Sequence, residues 1–441
     1  MRKLSLSTLH QTPYGWPLRQ LRIPQAHKVT RGSKEIVVAV IDLGYTYHPD
    51  HEGHLWVNPS PTRGDIHGWD CHDDDDTLKY NFAEPESRYN KGHHTFIVGE
   101  VVACAPQCPV MIVRVGYGNP ESWWRGIDYA VAHGAKIVII PHGFSTHGKN
   151  SKSPLFYRGT DFSYPLDNPE IRRALDDAYA AGCLIFRGTC DNRGRRAALA
   201  LAALESVVAV GSSNRRGEAA DIAISADYVE IGAPGGQRAS DDPKDKIWST
   251  GGNRDYIHFQ GGCMASGFAG SVGALVMSRF PELSNEQVRQ IMRNTARGDQ
   301  WNHLLGYGVL DAARAVSLKP AQLCQHLRVK RGSGVLTRKA RKHLLKVTIE
   351  NRGAFDVKEA LAIVYQGDPR RPAAPQGTML NPVLLVNKQI GHTVAPVRGL
   401  HQANFEIGLI ETPQKEVWIQ VCTLDRGGSR EVDTVRLTLN N

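Results

Sequence analysis

The sequence predicts an α/β domain of three layers around a parallel sheet, followed by an all-β sandwich domain. From about residue 36 to 318, short apolar runs alternate with segments whose apolar residues recur every three or four positions. This pattern is typical of strands that alternate with helices. From about residue 326, apolar and polar residues alternate between Gly, Pro and Asn positions, which favours antiparallel strands.

The length of 441 residues exceeds the size at which one hydrophobic core usually stops growing, so two domains are expected. We place a lead-in at 1–33, the α/β domain at 34–318 and an Ig-like β-sandwich at 326–441. The hydrophobic share of 41% and the charged share of 22% are ordinary for a globular protein. The apolar run at 267–277 is too short for a membrane span, so no membrane association is predicted.

The net charge of +9 permits an acidic partner, and the positive charge peaks between Arg328 and Lys346. We interpret this segment as a solvated linker and edge strand, and we do not predict a nucleic-acid partner. A nucleic-acid or scaffold role of the β-domain stays as a weaker alternative, and this domain is also a candidate surface for a protein partner. Because the eight cysteines do not form a dense disulfide framework and no signal peptide is seen at the start, we expect reduced thiols and a cytoplasmic location.

The strand candidates of the α/β domain are apolar throughout and end at turn residues. They are EIVVAVID (35–42), VMIVRVG (110–116), AKIVII (135–140), CLIFRG (183–188) and SVVAVG (206–211). Helical spacing lies between them at 94–103, 122–134 and 168–182. Strands without a polar face indicate a sheet covered on both sides. Active sites of such sheets lie beyond the carboxyl ends of the strands.

Two further patterns describe the remainder of the chain. Ser284 and Gln287 form a Ser-x-x-Gln capping box before a helix. Four later runs, LLKVTIENRG, EALAIVYQG, VWIQVCTLD and DTVRLTL, have the alternation of half-buried strands.

The stretch FQGGCMASGFAGS at 259–271 places Cys263 after two glycines and at the start of a predicted helix. Glycines let the backbone turn sharply and approach another group closely. A helix beginning here would aim its free N–H groups and its positive dipole end at the thiol. Taken alone, the stretch fits a tight helix start with a buried thiol as well as a mounted nucleophile.

Asp42 ends the first strand in VAVIDLG, and His93 begins a helical segment in YNKGHHTFIVGEV. Each of them, taken alone, is best read as a capping or surface residue. A carboxylate, an imidazole and a thiol at strand ends and helix starts can nevertheless converge on one edge of a parallel sheet. An acid–base–nucleophile triad needs these three groups.

Three blocks, IVVAVIDLGYTYHPD, KGHHTFIVGEV and GGCMASGFAGSVGAL, resemble the Asp, His and Ser blocks of the subtilisin-like peptidases (subtilases), in the same chain order. WPLRQLRIPQAHKVTRGS, HGWDCHDDDD, YVEIGAPGG and GYGVLDAARAV are similar to further segments of that family, so the resemblance covers about residues 14–318. It implies a subtilisin-like catalytic domain with Asp42 as the acid, His93 as the base and Cys263 at the position of the nucleophilic Ser.

The sequence departs from the family pattern within the site. His93 is preferred over His94 as the base because it stands two residues before Thr95, as the catalytic His does in the family. His94 then replaces a family Gly, Phe96 replaces the second His, and Gly267 replaces the usual Pro.

The peptide-binding edge that the resemblance implies is Pro141-His142-Gly143. Pro141 lacks an N–H group but keeps the carbonyl that the family uses at this position. Gly143 keeps both backbone groups. Docking of a peptide or protein substrate as an added strand is therefore feasible.

The oxyanion donor implied by the resemblance is open between two neighbours. Counting along the strand from Gly182 selects Asp191, whereas matching Asn-x-Gly selects Asn192. Asn192 can donate a hydrogen bond to a developing oxyanion, while an ionised Asp191 would repel it. Loss of such a donor costs about 2.7–4 kcal/mol of transition-state stabilisation. We favour Asn192.

No cofactor and no metal site are predicted. The family's calcium loop is deleted, because VGEVVA runs directly into CAPQCPVMIV. The acidic run Asp73–Asp76 could bind a cation, but we interpret it as a solvated loop. Cys104 and Cys108 lack the second pair of ligands that a zinc site needs.

The leading hypothesis is a peptidase or acyl-transfer enzyme that forms a thioester between a peptide and Cys263. A thiolate forms readily beside an imidazole and at a helix N-terminus. The tetrahedral intermediate expels thiolate more easily than amine, so a site built for oxygen would favour acyl transfer over amide cleavage. The alternative is a catalytically impaired pseudoprotease that binds a polypeptide in the former active-site cleft.

Overall fold

The computed structural model describes residues 5–79, 92–116, 119–141, 168–189, 201–252, 254–298, 300–330, 332–339, 342–366, 369, 388–410, 413, 416–425 and 428–439. The chain divides into two compact units, Met1–Ser317 and Leu318–Asn441.

The first unit alternates strands and helices. Its strands are β1 (Val37–Asp42), β2 (Gly68–Asp70), β3 (Val110–Arg114), β4 (Ala135–Ile139), β5 (Leu184–Gly188), β6 (Val207–Ser213), β7 (Ile231–Pro234), β8 (Ile247–Thr250) and β9 (Tyr256–Phe259). Its helices are α1 (Trp16–Gln20), α2 (Ile23–Ala26), α3 (His93–Cys104), α4 (Pro120–Ala132), α5 (Pro169–Ala180), α6 (Gly262–Arg279), α7 (Asn285–Thr295) and α8 (Ala312–Val316).

Seven strands form one sheet in the order β2-β3-β1-β4-β5-β6-β7. Every neighbouring pair in it is parallel, which confirms the predicted parallel sheet. The five predicted strands are β1, β3, β4, β5 and β6. Strands β2 and β7 were not predicted, because runs of three and four residues are too short to show a period.

Helices cover both faces of this sheet. On one face, Ala39 and Ile41 of β1 share a core cluster with Ile127 of α4. On the other face, α6 lies so close that Gly270 meets Ile137 of β4. Successive strand residues point to opposite faces, so strands buried on both sides are apolar at every position.

Helices α3 and α6 are the central helices that carry the site. In α3, eleven of the twelve residues are buried, so this helix has no solvent face. Helix α7 begins with the predicted capping box of Ser284 and Gln287. No helix in the described stretches is long and apolar enough to cross a membrane.

The second unit consists of antiparallel strands. They are β10 (Leu327–Val329), β11 (Val335–Lys339), β12 (Lys342–Asn351), β13 (Val357–Gln366), β14 (Lys388–Val397), β15 (Gln402–Leu409), β16 (Glu416–Asp425) and β17 (Gly428–Thr438). One sheet contains β10, β11, β12 and β15, and the other has the order β14-β13-β16-β17. Side chains of both sheets, such as Phe405 and Ile419, belong to one core cluster, so the two sheets form a sandwich.

Candidate active site

Asp42 and His93, two of the predicted site residues, are hydrogen-bonded to each other. Asp42 is fully buried at the end of β1, and its Oδ2 lies 2.6 Å from Nδ1 of His93. The other oxygen, Oδ1, accepts a hydrogen bond of 2.8 Å from the backbone N–H of Leu43. The residue that follows the strand therefore orients the carboxylate toward the imidazole.

The charge state of His93 is set by opposing effects. Burial by itself would lower the pKa of His93, because the charged imidazolium loses its hydration. The Asp42 carboxylate and hydrogen bonds to Asp42 and Cys263 outweigh burial and raise this pKa well above 6.5. The imidazolium form is thus stabilised, as a base that must hold a proton requires.

The loop after β1 is fastened to the start of α3. Gly92 precedes the helix with φ 83° and ψ 10°, and a Cβ there would lie 2.8 Å from the backbone N of Gly252. The Thr95 hydroxyl accepts from Thr46 N at 2.9 Å and donates to Thr46 O at 2.8 Å. These two bonds join the Asp42 strand end to the first turn of α3, so they position Asp42 against His93.

Cys263 is the second residue of α6, and it is partly exposed. It is a hydrogen-bond partner of the buried His93. The three predicted side chains therefore lie in one hydrogen-bonded line, from Asp42 through His93 to Cys263. The line leads from a fully buried carboxylate to a thiol that solvent can reach.

The first turn of α6 lies directly against the end of β5. A Cβ on Gly188 would lie 2.0 Å from the Gly262 carbonyl oxygen, and a Cβ on Gly262 would lie 2.1 Å from the Thr189 carbonyl oxygen. These distances leave no space for a side chain on either glycine. The glycine before Cys263 thus serves a close approach of two backbones, as the sequence predicted.

Replacing Gly262 by alanine is expected to destabilise the protein by about 1–3 kcal/mol, because the added methyl group has to push the start of α6 away from β5. It should also slow alkylation of Cys263. Urea unfolding and iodoacetamide reaction rates measure the two effects. Gly252→Ala is the matched control, because the nearest heavy atom to its Cβ would be 3.7 Å away. Equal stability of the two variants would contradict this account.

Among the predicted substrate and oxyanion residues, Pro141 is described. It is buried two residues after the end of β4, the strand that lies between β1 and β5. His142, Gly143, Asp191 and Asn192 lie outside the described residues.

The acidic segment before α3 is paired with arginines. The fully buried Asp70 ends β2 and forms an ion pair with Arg114, which ends β3. Arg114 also lies 2.6 Å from Asp73, and Arg125 pairs with Asp74. Asp73 and Asp74 are about half exposed, at 50% and 51% of their side chains. Guanidinium groups thus neutralise carboxylates that could otherwise have bound a cation. Within the described ranges, no group of three or more His, Cys, Asp and Glu residues is arranged to bind a metal.

Two departures from the family pattern, His94 and Phe96, are buried in the first turn of α3. Burial lowers the pKa of His94 to about 4, so this side chain is uncharged near neutral pH. The ring of Phe96 lies 5.0 Å from that of Phe259, and Phe259 lies 6.1 Å from the His93 ring. His94 therefore adds no charge beside the base near neutral pH, and Phe96 is apolar.

Sequence reasoning did not single out Glu100. Its side chain is 1% exposed and lies next to Gly267 in the contact between α3 and α6. The available signal was an acidic residue inside the apolar run HTFIVGEVVA, seven positions after His93 and hence on the same helix face.

The fold agrees with the comparisons with known proteins. Residues 33–308 match the family model described as the subtilase family. Because this match spans more than half of the chain, the chain belongs to the subtilase family. It is therefore a subtilisin-like peptidase by family and by fold.

Individual relatives are distant. The thermostable alkaline protease of Halalkalibacterium halodurans is 27% identical over 321 residues, which cover 70% of this chain and 74% of that protein. Subtilisin Savinase of Lederbergia lenta is 23% identical over 313 residues, with 68% of this chain and 97% of that protein covered. Among solved structures, a lanthipeptide protease has a TM-score of 0.57 at 19% identity and covers 72% of this chain and 98% of its own. This last similarity supports the fold.

Proposed function

We propose that this subtilase is a cysteine-dependent peptidase or acyl-transfer enzyme that acts on a peptide or protein substrate. The observation that carries the proposal is the hydrogen-bonded line from Asp42 through His93 to Cys263. Each residue in this line has the chemistry that its role requires. The carboxylate is buried, the imidazole has a raised pKa, and the thiol is partly exposed.

In the first half-reaction, Nε2 of His93, the ring nitrogen that is not bonded to Asp42, takes the proton of the Cys263 thiol. The thiolate then attacks the substrate carbonyl carbon, and a C–S bond forms while the carbonyl electrons move to oxygen. When the oxyanion collapses, the C–N bond breaks and His93 gives the proton to the departing amine. Asp42 stabilises the imidazolium throughout and sets its tautomer. The product is a thioester on Cys263.

In the second half-reaction, an incoming water or amine loses a proton to His93 and attacks the thioester carbonyl. The C–S bond breaks, and Cys263 leaves as a thiolate that His93 reprotonates. The N-terminus of the 18-residue helix α6 favours the thiolate at both stages. Water gives proteolysis, whereas an amine gives acyl transfer.

A peptidyl vinyl sulfone probe tests the proposed nucleophile. We expect covalent labelling of the native protein and its loss in Cys263→Ala, with strong slowing in His93→Ala. Cys324→Ala is the matched control, because Cys324 is also a partly exposed free thiol. This control should label like the native protein.

Two labelling results would contradict the proposed role of Cys263. Labelling that persists in Cys263→Ala, or that does not depend on His93, would overturn the proposed role of Cys263. Tight binding of a peptide without any Cys263-dependent labelling or turnover would favour the pseudoprotease alternative.

A further inference from the structure

A carboxyl group is enclosed between α3 and α6, deeper than the nucleophile. Glu100 is 1% exposed, and neither of its carboxyl oxygens has a hydrogen-bond partner among the described residues. Glu100 follows His93 by seven residues, which is about two helical turns. It therefore lies on the face of α3 that His93 presents to Cys263.

Gly267 of α6 provides the space for this carboxyl group. A Cβ on Gly267 would lie 2.0 Å from Oε2 of Glu100, so a larger residue at 267 would have to displace the carboxyl group. Gly267 follows Cys263 by four residues and thus lies one turn further along the same face of α6. The contact of Glu100 with Gly267 is the next layer beneath the contact of His93 with Cys263.

Among the described titratable groups near Glu100, His93 favours the ionised carboxylate, but Asp42 already pairs with this imidazole. The titratable groups that face it are His93 and Cys104 on its own helix and Cys263 on α6. Asp42 on β1 acts on the same region through His93. Strand β8 packs against α3 near Gly99 with Ser249 and Thr250, which carry no charge.

The enclosure of Glu100 between α3 and α6 shifts the pKa of its carboxyl group. Burial raises the pKa of Glu100 well above 4.5; His93 opposes this shift, and Cys263 adds to it. Glu100 therefore keeps its proton to a higher pH than an exposed glutamate does. An ionised Glu100 would repel that thiolate across the helix contact.

We propose that Glu100 is a positioning residue for Cys263: its uncharged carboxyl group fills the space left by Gly267 and aligns the first turn of α6, and its ionisation at high pH disfavours the thiolate. This inference rests on the proposed role of Cys263. It explains why the Pro of the family is absent at position 267, since a ring there would overlap the Glu100 carboxyl group.

The first test is the pH profile of Cys263 alkylation by iodoacetamide, followed by mass spectrometry. Glu100→Gln keeps the shape of the uncharged carboxyl group but cannot ionise. Native protein and variant should react equally at about pH 6.5, and at about pH 9 the native protein should be about three- to tenfold slower. Profiles that coincide across this range would overturn the proposal, because a merely structural side chain does not change with pH.

The second test separates packing from charge. Gly267→Ala should slow alkylation at about pH 6.5, and Glu100→Ala/Gly267→Ala should react faster than Gly267→Ala, because the smaller side chain at 100 removes the overlap. A double variant whose loss is the sum of the two single losses would overturn the pairing. Iodoacetamide reports thiol ionisation without turnover, so these results are distinguishable from a failure of the peptidyl probe to label Cys263.

Discussion

Asp42→Asn is expected to slow acylation of Cys263 by about 10⁴-fold, which is the cost of this change in a Ser-His-Asp triad. Asparagine keeps the shape of the side chain, and its oxygen can still accept the Leu43 N–H group. It lacks the charge that raises the pKa of His93, and its amide can select the wrong tautomer of the imidazole. Labelling rates with the peptidyl probe measure the effect.

Asp65→Asn is the matched control for this variant. Asp65 is also buried, at 3% exposure, and accepts hydrogen bonds from Asn58 and Tyr129, away from His93. Its labelling rate should equal that of the native protein. An Asp42→Asn rate within about tenfold of the native rate would mean that the carboxylate does not act through His93.

The pH dependence of protein stability gives a second measurement on Asp42→Asn. Because the folded-state pKa of His93 is raised, the stabilisation from its ion pair is fully present below about pH 6.5 and is lost as the pH rises through the folded-state pKa. The free energy of unfolding of Asp42→Asn should therefore approach that of the native protein as the pH rises through this window.

Arg114→Met is expected to destabilise the protein by about 3–5 kcal/mol, because it leaves the buried Asp70 carboxylate without its partner. Burial raises the pKa of Asp70, and Arg114 partly offsets this effect. Without Arg114 the pKa should rise further, so the loss should be smallest at low pH, where Asp70 is protonated, and should grow as the pH rises. Urea unfolding at about pH 5 and pH 8 measures the difference.

Arg114→Met/Asp70→Asn is the control for the unpaired charge. It removes both charged partners. The Asn oxygen can still accept the hydrogen bonds that the backbone N–H groups of His72 and Asp73 donate to Asp70 in the native protein. We expect this double variant to recover part of the lost stability and to show a weaker pH dependence. If it were as unstable as Arg114→Met, the loss would come from packing of the Arg114 side chain and not from charge.

The residues of the site differ in how far local sequence reveals them. Asp42 could be placed because a fully buried strand is apolar at every position, so its first charged residue marks its end. His93 and Cys263 could be placed because helical spacing begins beside them. The family blocks then brought the three together in order, and the structure joins them by hydrogen bonds.

Local sequence does not reveal contacts between elements that are far apart in the chain, such as the ion pair of Asp70 with Arg114. Arg114 meets Asp70 because β2 lies beside β3 in the sheet, with Asp70 and Arg114 opposite each other in register. The sequence shows an acidic run and scattered arginines, but strand order decides which of them pair. The acidic run Asp73–Asp76 is exposed, as its interpretation as a solvated loop expects, whereas Asp70 just before it is buried in an ion pair with Arg114.

Local patterns of apolar and polar residues were enough to predict the parallel sheet and the later β-sandwich strands, since periodicity depends on near neighbours in the chain. They also put Asp42 at a strand end and His93 and Cys263 at helix starts, and the family resemblance assigned these residues their roles. The packing of α3 against α6 alone brings Glu100 to Gly267, and the packing of α6 against β5 alone explains Gly262. Such contacts depend on distances between elements that are far apart in sequence, and these distances exist only once the core has formed.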